Sequence, residues 1–227
     1  FLSHEGYFKK ITPQSLRMSG EQKYKENDGP AQEFEAENRD DLLIFTDKQQ
    51  VYKVRVADFE DTKASVLGVY LPTRLEMDEG ENVLCMIKPG DYSGDLLLFF
   101  ENGKAARVSL SAYATKTNRK RLTGAYSDKS PLVSLLPLDG EREIAVFSTE
   151  GRALLFSSAL LTPKTSRTTI GVALMNVKKK YVVERAVFAE NSPITNAARY
   201  RARSIPVAGA LLRDEDREEK QMSLIEE

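Results

Sequence analysis

The 227-residue chain contains one cysteine and one histidine, and both scarcities exclude chemistry. A lone Cys85 forms no intramolecular disulfide and suits a reducing cytoplasm. It lies in the apolar run 83–87, which predicts a buried, inert thiol rather than a nucleophile. His4 alone cannot supply a histidine-rich metal site or a Ser-His-Asp triad in every repeat, and it is expected in an exposed first hairpin. No apolar run approaches the roughly 18 residues that span a bilayer, so no membrane partner is expected. Neither a phosphate-binding loop nor a dinucleotide fingerprint occurs. No cofactor, metal site or catalytic residue is therefore expected, and ATP hydrolysis falls to another polypeptide. Helix is scarce, with only 214–225 having a helix-compatible composition; its negative charge equally suits disorder.

What the chain does contain is a repeated phrase. An apolar strand, a tight turn and a second strand recur from Leu42, from Leu97 and from Ile144. The anchors Phe45, Phe99 and Phe147 are 54 and 48 residues apart, and a glycine follows each by 23 to 25 residues: Gly68, Gly124 and Gly171. A degenerate copy opens the chain at Phe1, with Gly29 as its trailing glycine. After Gly171 the pattern frays, and 199–212 recovers only the approach to Gly209. The phrases read as antiparallel hairpins, with Gly103 and Gly151 supplying positive φ at the turns. Gln49 occupies that place in the second phrase, which predicts a different turn. Further strands are expected at 68–71, 82–87, 124–126, 132–136, 171–175 and 181–188, giving about four per repeat. Four short strands in about 50 residues suit a propeller blade and leave no room for the helices of an alpha solenoid. The expected fold is all-β: a propeller-like pinwheel of four to five four-stranded blades over residues 1–213, the last incomplete, followed by an acidic tail at 214–227. The chain opens without an initiator methionine, inside a strand, and reads as the C-terminal part of a longer protein.

A formal net charge of −1 conceals a strong asymmetry. Residues 1–101 carry 12 basic and 20 acidic side chains, 102–213 carry 19 and 7, and 214–227 carry 2 and 7. The cations recur at one phase, just before the trailing glycines: Lys116, Arg119, Lys120 and Arg121; Lys164 and Arg167; Arg199, Arg201 and Arg203. Lys178, Lys179 and Lys180 extend the set. Equivalent positions of a radial repeat share an edge, so these loops are expected to line one rim. Lys and Arg interleaved with Ser, Thr and Asn are what sequence-independent phosphate contact requires. The early loops differ: 21–41 carries eight acidic and three basic residues, which predicts a poor polyanion surface.

The tandem phrases, the glycine phase and the Gly6-Tyr7-Phe8-Lys9-Lys10-Ile11-Thr12-Pro13 opening resemble the C-terminal domain of the A subunit of bacterial type II topoisomerases, DNA gyrase and topoisomerase IV. The resemblance covers about residues 1–210. It implies a β-pinwheel whose blades exchange strands, a bacterial, nucleoid-associated location, and a non-catalytic domain that binds and bends double-stranded DNA. That domain would steer DNA to the cleavage domain of the same polypeptide for ATP-dependent topology change, alongside the ATPase B subunit. The Q-R-R-G-G-K-G box of gyrase is absent; residues 17–29 stand in its place. This implies a topoisomerase IV-like protein or a diverged gyrase, without strong chiral wrapping. A different class of reading is a propeller scaffold whose basic loops meet an acidic protein. Arg199-Tyr200 resembles the family's cleavage-site pair, but Thr-Glu does not follow it, so packing or stacking is the expected role of Tyr200.

Overall fold

The computed structural model describes residues 1–19, 21–115 and 120–217. Lys116 and Arg119 of the predicted interface, and 218–227 of the acidic segment, lie outside the described residues. The chain divides into two units. Unit 1 comprises 1–95, 109–129 and 165–169, and unit 2 comprises 96–108, 130–164 and 170–227. Each unit is built on two sheets.

In unit 1 the first hairpin, Leu2–Ser3 with Tyr7–Phe8, is flanked by Pro30–Gln32 and Val69–Tyr70. The second, Asp41–Thr46 with Gln50–Arg55, is flanked by Val83–Ile87 and Arg121–Thr123. In unit 2 the third hairpin is Asp95–Phe100 with Lys104–Ser109. Leu132–Leu138 flanks it on one side, while Pro163–Lys164, in parallel, and Val172–Ala173, antiparallel, share the other. The fourth, Glu143–Ser148 with Arg152–Ser157, lies between Val183–Phe188 and Ala210–Leu211. Four sheets thus stand within the expected four to five, and the frayed last repeat contributes one strand.

In every sheet the strand beside the second hairpin strand comes from the following repeat. Val69–Tyr70 follows the second hairpin yet completes the first sheet, and Ala210–Leu211 follows the fourth repeat's own third strand. The trailing glycines mark these crossings. A Cβ on Gly171 would stand 2.3 Å from the carbonyl oxygen of Ala105, one on Gly68 2.3 Å from that of Phe8, and one on Gly209 2.6 Å from that of Ala153. All three touch the same place in the repeat, two residues past the turn glycine, and all have φ between +71° and +90°. No side chain fits there.

Two glycine assignments need correction. Gly29 has no positive φ and approaches only the His4 side chain, because its strand, Pro30–Gln32, stays in its own sheet. At Gly124 a Cβ would meet nothing nearer than Thr168 Cγ2 at 3.5 Å, and the crossing strand lies before this glycine, at Arg121–Thr123, rather than at 124–126. The second turn also departs from expectation. Gln49 adopts φ 53°, matching the left-handed conformation of Gly103 and Gly151, so the turn is conserved in geometry and the glutamine carries the strain.

The uninterrupted apolar runs reflect burial on both faces. Along Glu143–Ser148, Ile144 and Val146 join Leu97, Phe99, Leu154 and Phe156 in one cluster, whereas Ala145 and Phe147 face Ala153, Leu155 and Tyr200 in another. In unit 1 Leu42 and Ile44 meet Leu2, Phe8, Tyr52 and Val54, while Phe45 packs edge-on against Tyr113 at 5.4 Å. Each fully buried side chain of this size contributes about 1.5–3 kcal/mol. Polar side chains tie neighbouring sheets within a unit. Gln32 donates to the Met86 carbonyl at 3.0 Å and accepts from its N–H at 2.6 Å, substituting for a strand residue.

Helical turns are more frequent than the composition predicts. Pro13–Met18 starts on a Thr12 cap that accepts from Ser15 N–H at 3.2 Å, with proline in the first turn, where its missing N–H costs nothing. Leu71–Arg74 and Ala197–Tyr200 add one turn each. His4 is exposed in the first hairpin, and Cys85 is half-buried, with burial pushing its thiol up to about 12. No helix among the described residues is long and apolar enough to cross a membrane.

Candidate nucleic-acid interface

In the second, third and fourth sheets the predicted cations lie in the crossing segments or in the loops flanking them. In unit 1, Lys120 is exposed, and its carbonyl accepts from Lys53 N–H at 2.7 Å as the crossing strand begins. Arg121 follows, opposite Tyr52, and its guanidinium donates to Asp78 Oδ1 at 3.0 Å. The Asp78 carboxyl is held below its ordinary value by hydrogen bonds from Gln50 and Arg121. Arg167 turns inward. Its Nε donates to the Gly124 carbonyl at 3.2 Å and one terminal nitrogen to that of Ala112 at 2.8 Å, so it ties two loops together.

In unit 2, Lys164 is exposed on the short strand Pro163–Lys164 beside Arg107 and Val108. Lys178 pairs with Glu150, whose carboxylate also meets Arg152 at 3.4 Å; the Lys178 hydrogen bond lowers the Glu150 pKa. Lys179 and Lys180 are exposed, with the Lys180 ammonium 5.0 Å from the centre of the Tyr181 ring. Arg199 lies over the Tyr200 ring and donates to the Leu211 carbonyl at 3.3 Å. Arg201 grips Glu143 with two hydrogen bonds of 2.5 and 3.0 Å, which hold that carboxyl below the usual range. Arg203 is exposed.

The described candidates therefore divide into two groups. Arg121, Arg167, Lys178, Arg199 and Arg201 have donors engaged by protein oxygens. Lys120, Lys164, Lys179, Lys180 and Arg203 have no ion-pair partner among the described residues. The distinction is energetic as well as geometric. The Lys178 side chain is itself largely exposed, so its ammonium can exchange one anion for another, and Glu150 keeps Arg152 as a partner. Arg167 would leave two inward carbonyls unsatisfied.

Sequence reasoning missed the anions that engage these cations. Asp78 and Arg121 are 43 positions apart, Glu150 and Lys178 28, and Glu143 and Arg201 58. Charge counts along the chain cannot reveal such pairs: strand exchange brings Asp78 to Arg121 and Glu143 to Arg201 from neighbouring repeats, and the loop after Val172–Ala173 folds Lys178 back onto the fourth hairpin turn. The Lys9 of the opening phrase is also spent internally. It is 3% exposed, with its ammonium donating to the carbonyls of Lys23 at 2.9 Å and Ala64 at 3.3 Å, and burial lowers its pKa.

Tyr200 is a core residue, as the missing Thr-Glu suggests. It is 2% exposed, and its hydroxyl donates to Asp216 Oδ2 at 2.6 Å. Asp216 also accepts from the Thr195 N–H and hydroxyl at 2.6 and 2.8 Å. Burial alone would raise its carboxyl, but these hydrogen bonds hold it below the ordinary aspartate value. The described start of the acidic segment is thereby fastened to unit 2. No group of three or more His, Cys, Asp or Glu among the described residues is placed to hold a metal ion.

The family described as "DNA gyrase C-terminal domain, beta-propeller" matches residues 40–74 and 142–187, which include the second and fourth hairpins. Over these two segments the chain is similar to that gyrase domain. The A subunit of DNA topoisomerase 4 from Staphylococcus epidermidis is 26% identical over 188 residues, covering 80% of this chain and 23% of that protein. The A subunit of DNA gyrase from Mycoplasma pneumoniae is 27% identical over 140 residues, covering 61% of this chain and 17% of that one. The chain thus spans about a sixth to a quarter of these curated relatives. Among solved structures, a C-terminal domain of DNA topoisomerase IV superposes with a TM-score of 0.72 at 23% identity, covering 85% of this chain and 61% of that one. The E. coli ParC C-terminal domain gives 0.66 at 13% identity, covering 94% and 92%. At these identities the structural likeness establishes the fold, which is that of the β-propeller C-terminal domains.

Proposed function

We propose that this chain is a non-catalytic duplex-DNA-binding domain that bends DNA and steers it to a type II topoisomerase core acting in ATP-dependent topology change. The observation that carries this reading is the pairing of family kinship with unengaged cations in the crossing segments and their flanking loops. Phosphate contacts made by such side chains release counterions and require no base reading. The work of bending, about 1–6 kcal/mol for a 20–30 base-pair site, would be offset by many such contacts. The core and the ATPase B subunit would be the protein partners, in a bacterial cytoplasm. Lacking the glycine-rich basic box, the domain is of the topoisomerase IV type or from a diverged gyrase, steering DNA without strong chiral wrapping.

The test is binding to duplexes of increasing length across a salt series. If Lys164, Lys179, Lys180 and Arg203 each meet one phosphate, the log–log salt slope contains a contribution of roughly −3.6 from unit 2. Reversing those four charges removes that contribution, whereas reversing Lys10 and Lys25, already paired with Asp61 and Glu5, leaves it unchanged. Binding that ignores duplex length, or equal effects of the two charge reversals, overturns the DNA reading and favours an acidic protein partner. The acidic segment is best shortened after Arg217, because removing Asp216 would strip the Tyr200 and Thr195 anchors.

A further inference from the structure

A polar cleft of about 450 Å³ opens in unit 1, between the turn of the second hairpin and the crossing strand that completes its sheet. Gln50, Asp78, Arg121, Thr123, Asp128 and Thr168 are among the residues that line it. Its cationic and amide donors are largely spent. Arg121 donates to Asp78 Oδ1 at 3.0 Å, and the ammonium of Lys48, which also lines the cleft, donates to the Glu79 carbonyl. Gln50 Nε2 donates to Asp78 Oδ2 at 2.8 Å.

That last bond fixes the amide, since the flipped orientation would set Oε1 against a carboxylate. Oε1 is left as an acceptor with no hydrogen-bond partner among the described residues, on a side chain only 4% exposed. Buried acceptors of this kind are uncommon and call for a donor. At the cleft margin the Asp128 carboxylate is held, among the described residues, by its neighbour Lys129 at 3.2 Å, in a pair about 70% exposed on both sides. The surplus in the cleft is therefore of acceptors.

We propose that this cleft receives a guanidinium group, the side chain of an arginine either free or within a peptide. A guanidinium presents five N–H donors in one plane and no acceptor, matching a cleft lined by the Gln50 amide oxygen and the Asp128 carboxylate. One N–H would satisfy Gln50 Oε1 as others reach Asp128. The site is separate from the DNA reading: of the predicted phosphate contacts only Arg121 lines it, and that guanidinium is already engaged by Asp78.

The experiment is an amide-resolved NMR titration of the whole chain with N-acetyl-arginine amide, and in parallel with the neutral isostere N-acetyl-citrulline amide. Saturable shifts at Thr123, Gly124 and Thr168 with the arginine compound, and at least about tenfold weaker binding of citrulline, are expected. A Gly-Arg-Gly peptide that binds at least as tightly would assign the site to a peptide; a loss of binding would assign it to free guanidinium compounds. Asp128→Asn, at an exposed position that the fold does not need, should weaken binding several-fold. Gln50→Leu should abolish it while removing the orphaned acceptor, with the thermal melt reporting that the chain is folded. Absence of saturable shifts, equal binding of citrulline, or indifference to Asp128→Asn overturns the proposal.

Discussion

Replacing Gly171 by alanine would set a methyl group 2.3 Å from the Ala105 carbonyl oxygen and 2.7 Å from its carbon. Both are backbone atoms of a strand paired on each side, so neither can turn away as a side-chain tip would. Two costs then add. The φ of +71° is left-handed, which costs an alanine about 1–2 kcal/mol. Relieving the overlap means moving the crossing strand off Lys104–Ser109, and such overpacking typically costs a further 1–3 kcal/mol. Gly151 isolates the first cost, because its φ is +75° and its Cβ position faces open space. Gly151→Ala should therefore lose about 1–2 kcal/mol and Gly171→Ala about 2–5 kcal/mol, more than Gly151→Ala. Urea unfolding followed by circular dichroism measures both, and hydrogen exchange at Val172 and Ala173 should rise only in Gly171→Ala. Equal losses in the two variants would refute the view that close backbone approach at the crossing selects the glycine.

Other outcomes follow from the same geometry. Gln49→Gly should stabilise the chain by about 0.5–1 kcal/mol, the relief of left-handed strain exceeding the added chain entropy of glycine, and urea midpoints test this. Asp216→Asn should cost about 1–3 kcal/mol through weakened bonds to Tyr200 and Thr195. The folded pKa of Asp216 lies below its unfolded value, so the stability it gives is present above that value, near 3.9, and is lost as pH falls through the folded pKa. An acid stability profile should show this loss in the parent and not in Asp216→Asn. With its thiol pushed up to about 12, Cys85 should react with iodoacetamide at pH 8 roughly a thousandfold more slowly than a free cysteine, and at the ordinary rate once urea unfolds the chain.

The repeat was legible because it is a backbone requirement. A crossing strand that passes within contact of a carbonyl admits no side chain, so Gly68, Gly171 and Gly209 record strand exchange in the sequence itself. Apolar runs such as 96–100 record burial on two faces in the same direct way. Where backbone geometry can be met at some cost by another residue, the signal weakens: Gln49 keeps the turn conformation without the turn's usual letter. Gly29 shows the converse, a glycine at nearly the right spacing without the conformation that makes spacing meaningful.

The interface was legible only in part, and for the same topological reason. Cations before a trailing glycine enter a neighbouring sheet with the crossing strand, and there Arg121 and Arg201 meet acids that the sequence places 43 and 58 positions away. Arg201 and Glu143 sit in different repeats, yet a two-pronged hydrogen bond joins them. A basic loop in an exchanging repeat thus has two uses, fastening the crossing and presenting charge, and the linear pattern is identical for both. Bidentate or inward arginines such as Arg201 and Arg167 serve the first use, since a fixed planar fork suits carboxylates and paired carbonyls. Lysines without such partners, Lys120, Lys164, Lys179 and Lys180, suit the second, as flexible point charges that follow a phosphate backbone without demanding one geometry. This division predicts that exchanging lysine for arginine will be tolerated at Lys179, whereas Arg167→Lys will loosen the loops around Gly124 and Ala112. Hydrogen exchange at the Thr123 to Ala125 amides separates the two: it should rise in Arg167→Lys and stay at the parent rate in Lys179→Arg.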